Sequence, residues 1–349
     1  MLELRPIENS AGKPWPPRHG RLSTQVPRLQ KPDVDVSVCI VNWNCRDILR
    51  GCLASLHLQE GVRLEVIVVD NGSSDGAADM VGREFPAVVL LRNPINRGFA
   101  CANNQAARQA RGRYLFFLNN DTVVPPLAVR RLVAYADAHP EVGMVGPRLR
   151  DGRGRVQISS RLQPTVSTFL NRTCLVRWSG LARRAYRRYR RDQFDPDTTR
   201  PVEVLMGAAL LVPRALFFSC GRWDEAFKFG GEDLDLCFRV RRAQPVVYYA
   251  GVEITHYGRV STRRRIGPAS SEIAAGFVRY LRKSGSPPGA LLLYKLIVTL
   301  DAPVELLLRA VQYLLRGARG QRDRARQSLL LMRGLGHFLV KGIVPFWRA

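Results

Sequence analysis

The sequence predicts an α/β fold in which a parallel sheet is covered by crossover helices, with a helical segment at the C-terminal end. Three observations carry this. Short β-branched runs recur along the first half of the chain, and each ends in polar residues. Stretches with the apolar spacing of a helix separate those runs. Towards the C-terminus the strand signals stop, and a basic, leucine-rich stretch of helical periodicity takes over.

Residues 1–35 read as a flexible leader, because Pro14, Pro16, Pro17, Pro27 and Pro32 discourage regular structure. VSVCIVNWN (36–44) reads as a buried strand. RDILRGCLASLHLQ (46–59) follows as a helix with Ile48, Leu49, Cys52, Leu53 and Leu56 on one face. EVIVVDNGSSDG (65–76) is a second strand running into a polar turn, and a helix over 77–84 and the strand 87–93 come next. A helix over 99–110 and the strand 113–121 complete the alternation, which calls for parallel strands joined by crossovers. In such sheets ligands sit beyond the carboxyl ends of the strands, where Asn42, Asp70, Asn71 and Asn119 to Asp121 are expected. Further on, 202–217 reads as a strand entering a helix, 232–242 as a helix and 245–251 as a strand.

The chain of 349 residues is long enough for one large domain or two modest ones, with an ordinary 46% hydrophobic and 24% charged residues. Its net charge of +25 is not ordinary and calls for a polyanionic partner: nucleic acid, anionic lipid or a phosphorylated substrate. Seven scattered cysteines without a C-x-x-C pair argue against a disulfide scaffold or zinc site and suit a reducing compartment. The N-terminal residues hold no apolar signal region, and no uncharged run reaches the ~18 residues of a spanning helix. The expectation is a cytoplasmic protein that does not cross a membrane.

Four places can carry chemistry. Asp70, at a strand end before Asn-Gly-Ser-Ser-Asp, can accept hydrogen bonds from a nucleobase or ribose, or can form an Asx turn. Asn119, Asn120 and Asp121 can hold a hard divalent cation against a diphosphate, or form a polar turn. Glu232, Asp233 and Asp235 lie within four residues. Their mutual repulsion is offset where a cation or a reacting hydroxyl is present, but acids also favour the first turn of a helix. His256 follows a strand and can ligate a metal or pack structurally.

Taken together, VSVCIVNWN, EVIVVDNGSSDG, RNPINRGFACANNQA, YLFFLNNDT, LMGAALLVPRALF, GRWDEAFKFGGEDLDLCFRVRR and THYG resemble the family 2 glycosyltransferases, specifically their bacterial rhamnosyltransferase branch. The resemblance spans 36–262 and implies a GT-A fold: a Rossmann-like nucleotide-binding mixed sheet flanked by helices. It implies an inverting sugar transfer, with L-rhamnose from dTDP-rhamnose as the expected donor and other UDP- or GDP-sugars as the alternative. Val41, Asn42, Asp70, Arg97, Asn119 and Asn120 would hold the nucleotide-sugar. Asp121 and His256 would hold Mg²⁺ or Mn²⁺, although the family's Asp-x-Asp here begins with an amide. Asp233 stands at the position of the catalytic base. Trp223, Asp224 and Glu232 would contact the acceptor, with Trp223 stacking on a sugar ring. The expected acceptor is a saccharide or a polyprenyl-diphosphate-linked sugar in cell-surface polysaccharide synthesis.

Residues 263–349 read as a basic amphipathic tail. Glu305, Arg309, Gln312 and Arg316 draw one polar stripe on an otherwise apolar helix. That composition suits an anionic membrane surface on the cytoplasmic face, a helical subdomain packed on the core, or a homodimer interface. Nucleic acid is not an expected partner: the arginines at 183–191 and 263–265 come without zinc spacing, an aromatic RNA-binding signature or a helix-turn-helix. The lack of G-x-G-x-x-G after the first strand argues against a dehydrogenase.

Overall fold

The computed structural model describes residues 34–190, 195–258 and 266–349. The leader up to residue 33 and the arginines at 263–265 lie outside them.

The strands are β1 (Val36–Asn42), β2 (Leu64–Asn71), β3 (Val89–Asn93), β4 (Tyr114–Asn119), β5 (Thr122–Val123), β6 (Met144–Arg150), β7 (Val156–Gln157), β8 (Ser160–Arg161), β9 (Arg200–Val202), β10 (Val204–Leu205), β11 (Ala209–Pro213) and β12 (Val246–His256). The helices begin with α1 (Arg46–His57), α2 (Ala77–Glu84), α3 (Phe99–Gln109), α4 (Ala128–Ala138), α5 (Val166–Leu170), α6 (Cys174–Ser179) and α7 (Arg183–Arg190). They continue with α8 (Arg214–Ser219), α9 (Glu232–Arg241), α10 (Ile266–Lys283), α11 (Pro288–Ala318), α12 (Arg322–His337) and α13 (Ile343–Arg348).

The main sheet runs β3-β2-β1-β4-β11-β6-β12-β5. Strands β1 to β4 are mutually parallel, as the strand–helix alternation requires. Strand β11 then enters between β4 and β6 antiparallel to both, so the sheet is mixed. The parallel arrangement read from the strand–helix alternation holds through β4, and beyond it the sheet is mixed, as the family resemblance implies. Nothing local in ALLVP records the direction from which it joins the sheet.

Strand residues alternate between two cores. Cys39, Ile67, Val69, Leu115 and Phe117 face α3, α8, α9 and the C-terminal helices. Val38, Ile40, Val68, Phe116 and Leu118 face α1, α2 and α4. The result is three layers, helix–sheet–helix. Register places Asn42 beside Asp70 and Val41 beside Asn119, so the polar strand ends converge on one edge. A register shift in β12 between Tyr249 and Glu253 lets that strand continue to His256, which pairs with Thr122 of β5. The sequence reading ended this strand at residue 251.

The C-terminal helices are part of the globule. Tyr280, Leu281, Tyr294, Phe338 and Phe346 are buried in the same core as β1, β4 and α9. Helix α12 continues through a π-helical turn (Phe338–Gly342) into α13. By length and composition this 322–348 stretch is apolar enough to cross a membrane, although Arg333 and Lys341 interrupt it.

Helix α11 is amphipathic with its polar stripe turned inward. Glu305 pairs with Arg309, Arg309 donates to Gln312 at 3.1 Å, and Arg316 donates to Ser328 at 2.8 Å. Lys295 donates to the Trp347 carbonyl, and Asp301 accepts from the Leu175 N–H, both at 2.8 Å. Leu292, Leu296, Leu300, Leu307, Val311 and Leu314 form the outward face, each between 44% and 68% exposed.

Candidate active site

A cavity of about 970 Å³ opens at the carboxyl edge of β1 and β4. Of the residues predicted from sequence, Val41, Arg97, Asn119, Asn120, Asp121, Glu232 and Asp233 line it. Its volume is ample for a nucleotide-sugar.

Asn42 and Asp70 stand behind this lining and are buried. Asn42 donates to Asp70 Oδ1 at 3.2 Å and accepts from Asn120 Nδ2 at 2.7 Å. Ser73 N–H donates to Asp70 Oδ2 at 3.1 Å, so the Asx-turn reading of Asp70 is realised. Asp70 therefore anchors the turn after β2 and, through Asn42, orients Asn120 at the cavity wall.

Asp121 and His256 meet because β5 pairs with the end of β12. The two are buried, and Nε2 of His256 lies 3.3 Å from both Asp121 Oδ1 and Asn119 Nδ2. On the other side of the ring, Nδ1 lies 2.9 Å from Gln157 Oε1, and Gln157 Nε2 donates to the His256 carbonyl. An Nδ1–H donated to Gln157 leaves the Nε2 lone pair aimed at Asp121. This is the arrangement by which an outer hydrogen bond fixes a metal-binding imidazole. Asp121 lines the cavity with the His256 imidazole packed against it, a donor set that would fit a divalent ion.

Helix α9 begins at Glu232 after Gly230 and Gly231, both with positive φ. The close packing of this turn requires glycine. A Cβ on Gly231 would lie 3.1 Å from Phe227, and one on Gly276 of α10 would lie 2.1 Å from the Gly230 carbonyl oxygen. Glu232 and Asp233 project from this turn into the cavity. Burial, then the neighbouring Asp233 carboxylate, pushes the Glu232 carboxyl up to about 8. Burial also raises Asp233, against the pull of the Leu234 and Gly207 N–H groups and of Arg161. The pair thus holds a proton at neutral pH and keeps a carboxylate more basic than usual, as a general base needs. Asp235 points the other way. It is fully buried and paired with Arg239 and Lys283, both at 2.6 Å, so it belongs to the scaffold.

Two expectations for the acceptor site are corrected. Trp223 is 1% exposed, wedged edge-on between Phe99 and Phe117, and offers no ring face to a sugar. The aromatic rings that do line the cavity are Trp43, Phe99 and Phe229. Asp224 faces a separate, smaller hollow and pairs with Lys283 at 2.8 Å.

Sequence reasoning missed the far wall of the cavity. Arg279 of α10, His337 of α12 and Lys341 of the π turn line it, as does Lys228 from the loop before α9. Of the readings open for the tail, packing on the core is the one realised, and no local pattern ties residues 279–341 to a strand end 160 or more residues earlier.

A mixed α/β sheet with an Asp–His pair that would suit a divalent ion and a carboxylate of raised pKa at one cavity is the arrangement of a group-transfer enzyme. Residues 37–201 match the family model for glycosyl transferase family 2. An N-acetylglucosaminyl-diphospho-decaprenol L-rhamnosyltransferase of Mycobacterium tuberculosis is 31% identical over 254 residues, covering 67% of this chain and 78% of the relative. Two solved structures share the fold. The mannosyltransferase PcManGT from Pyrobaculum calidifontis, in complex with GDP-Man and Mn²⁺, matches with TM-score 0.51 and 17% identity over 90% of this chain and 89% of that one. GalNAc-T7 with UDP, GalNAc and Mn²⁺ matches with TM-score 0.53 and 16% identity over 71% and 48%. The chain belongs to glycosyltransferase family 2, in its rhamnosyltransferase-like branch.

Proposed function

We propose that this glycosyltransferase moves L-rhamnose from dTDP-rhamnose onto a polyprenyl-diphosphate-linked sugar, in bacterial cell-surface polysaccharide synthesis. The observation that carries the reading is the 31% identity, over two thirds of the chain, to a relative named for rhamnosyl transfer to N-acetylglucosaminyl-diphospho-decaprenol.

The donor's nucleotide would lie along the ends of β1 and β2, against Val41 and the Asn42–Asp70 pair, with Arg97 reaching its diphosphate. Asn119 and Asn120 would offer amide groups beside it. Asp121 and His256 would hold Mg²⁺ or Mn²⁺; such an ion neutralises charge on the departing diphosphate. Asp233 takes the proton of the acceptor hydroxyl as that oxygen bonds to the anomeric carbon. The anomeric carbon–oxygen bond to the diphosphate breaks, and the nucleoside diphosphate leaves. Attack opposite the leaving group inverts the anomeric centre. Glu232 sits beside Asp233 on the acceptor side and shares its proton.

The outward leucine face of α11 supports a membrane-bound working state. In water, the polar stripe of an amphipathic helix faces out. Here Glu305, Arg309 and Arg316 are turned in and paired, while leucines face out along the length of the helix. Trp178 and Leu181, 63% and 87% exposed, follow close by on the segment that carries the arginines of α7. An apolar face bordered by arginines matches the interface of an anionic cytoplasmic leaflet.

The test is a donor screen with purified protein, a lipid-linked GlcNAc-diphosphate acceptor and Mg²⁺ or Mn²⁺, comparing dTDP-rhamnose with UDP- and GDP-sugars. Transfer from dTDP-rhamnose alone is the expected result, and transfer from another donor overturns the sugar. Asp233→Asn is expected to lower kcat by roughly 10²- to 10⁴-fold while nucleotide binding survives. An active Asp233→Asn enzyme would remove Asp233 as the base.

A further inference from the structure

We propose that Arg279, His337 and Lys341 form a second diphosphate-binding subsite, which holds the diphosphate of the lipid-linked acceptor opposite the donor's metal pair. The proposal rests on the functional reading above and assigns the far wall of the same cavity.

Three observations place it. First, these residues line the cavity together with Asp233, yet come from the C-terminal helices and not from the nucleotide-binding strands. Second, the charge of Arg279 and Lys341 is unspent. Neither Arg279 nor Lys341 has a hydrogen-bond or carboxylate partner among the described residues, and Glu272 on the same wall is already engaged. The His337 ring is held through Nδ1 by Ser271 Oγ at 2.9 Å, and Nε2 has no partner among the described residues. A donor diphosphate carries about two negative charges, which a divalent ion and Arg97 already offset. Unpaired cations beyond that balance call for a second anion.

Third, the wall is built to stay in place. A Cβ on Gly342 would lie 2.4 Å from Ser271 Oγ, so the π turn carrying Lys341 rests directly on α10. Helix α10 in turn touches the Gly230–Gly231 turn through Gly276. Asp233 and the cationic wall are thereby held at a set separation. Val340 and Val344, near Lys341 in the chain, are 80% and 57% exposed and offer apolar surface to the first isoprene units. A diphosphate seated on the cations, its prenyl chain leaving over that apolar surface and its sugar turned inward, would present a hydroxyl to Asp233.

The experiment measures binding of farnesyl diphosphate and of dTDP to the full chain by calorimetry, in wild type, Arg279→Ala, Lys341→Ala and the double variant. Arg282→Ala, exposed on α10 and outside the cavity lining, controls for net charge. Loss of one charge-assisted contact to phosphate is expected to weaken farnesyl diphosphate about tenfold or more, and loss of both more than either single change. Arg282→Ala should leave it unchanged, and dTDP should stay within about twofold throughout. In the transfer assay, KM for a GlcNAc-diphospho-lipid should rise in the alanine variants, while an alkyl GlcNAc glycoside lacking the diphosphate responds equally in all of them. Unchanged farnesyl diphosphate affinity in the double variant overturns the subsite. A loss of dTDP affinity as large as that of farnesyl diphosphate overturns it too, and assigns the cations to the donor. Binding requires no turnover, so failure of every donor in the screen would sink the functional reading and leave this result standing.

Discussion

Gly276→Ala tests how the C-terminal helices position the reacting carboxylate. The added methyl would begin 2.1 Å from the Gly230 carbonyl oxygen and 3.6 Å from a carbon of Phe227. The contact at 2.1 Å is with backbone, which cannot rotate away. Reaching an ordinary contact demands about an ångström of separation between α10 and the turn that precedes Glu232. Overpacking of this kind costs about 1–3 kcal/mol. Displacing a reacting group by about 1 Å can cost a further ~10²-fold in turnover. The assay is urea denaturation followed by single-turnover transfer at saturating donor. Gly51→Ala is the control: it lies in α1 with nothing within 4 Å of the new Cβ, and should stabilise by about 0.5–1 kcal/mol. A Gly276→Ala protein with wild-type denaturation midpoint and wild-type turnover would refute the idea that α10 holds the catalytic turn.

Two further outcomes follow from the site. Glu232→Gln should change stability in a pH-dependent way. The folded-state value of about 8 lies above that of a free carboxyl, so the protonated form favours the fold at low pH, and that advantage is lost as pH rises from about 4.5 through 8. The glutamine variant should match wild type near pH 4.5 and exceed it by about 2 kcal/mol at pH 8.5, a figure reduced from the full shift because the side chain opens on the cavity. Equal stability at both values in denaturation curves would show that Glu232 ionises normally. Gln157→Leu should weaken Mn²⁺ affinity about 10- to 100-fold, measured by titration in the presence of dTDP, because His256 loses the partner that orients its ring. Unchanged Mn²⁺ affinity would remove His256 from the metal site.

Much of the nucleotide-binding half was legible in the sequence. Helix α2 spans the residues its pattern assigned, and β1, β2 and β4 match to within a few residues at their ends. Strand β1 stops at Asn42, two residues early. There the side chain turns to bind Asp70 and Ser73, and the main chain leaves the sheet. The carboxylate group at 232–235 was legible as a cluster but not in its division. Helical geometry sends Asp235 to Arg239 and leaves Glu232 and Asp233 to the cavity. Trp223 illustrates a motif read in isolation: an aromatic beside acids suggests a sugar platform, but Asn104 binds the Trp223 backbone at both its N–H and its carbonyl and draws the ring into the core. The polar stripe of α11 was found correctly as a stripe. Its direction depended on α6 and α12, which supply Arg177 and Ser328 to meet it.

The sequence alone determined the alternation of strands and helices, the polar strand ends, the acid at Asp121 and the Gly-Gly-Glu-Asp turn. Each of these is set by interactions within a few residues: side-chain periodicity, turn chemistry and the φ that glycine permits. The tertiary structure decided the antiparallel entry of β11, the meeting of Asp121 with His256, and the closure of the cavity by Arg279, His337 and Lys341. Those outcomes depend on contacts between residues from about sixty to well over a hundred positions apart. Packing and the burial of apolar surface settle them only when the whole chain is assembled.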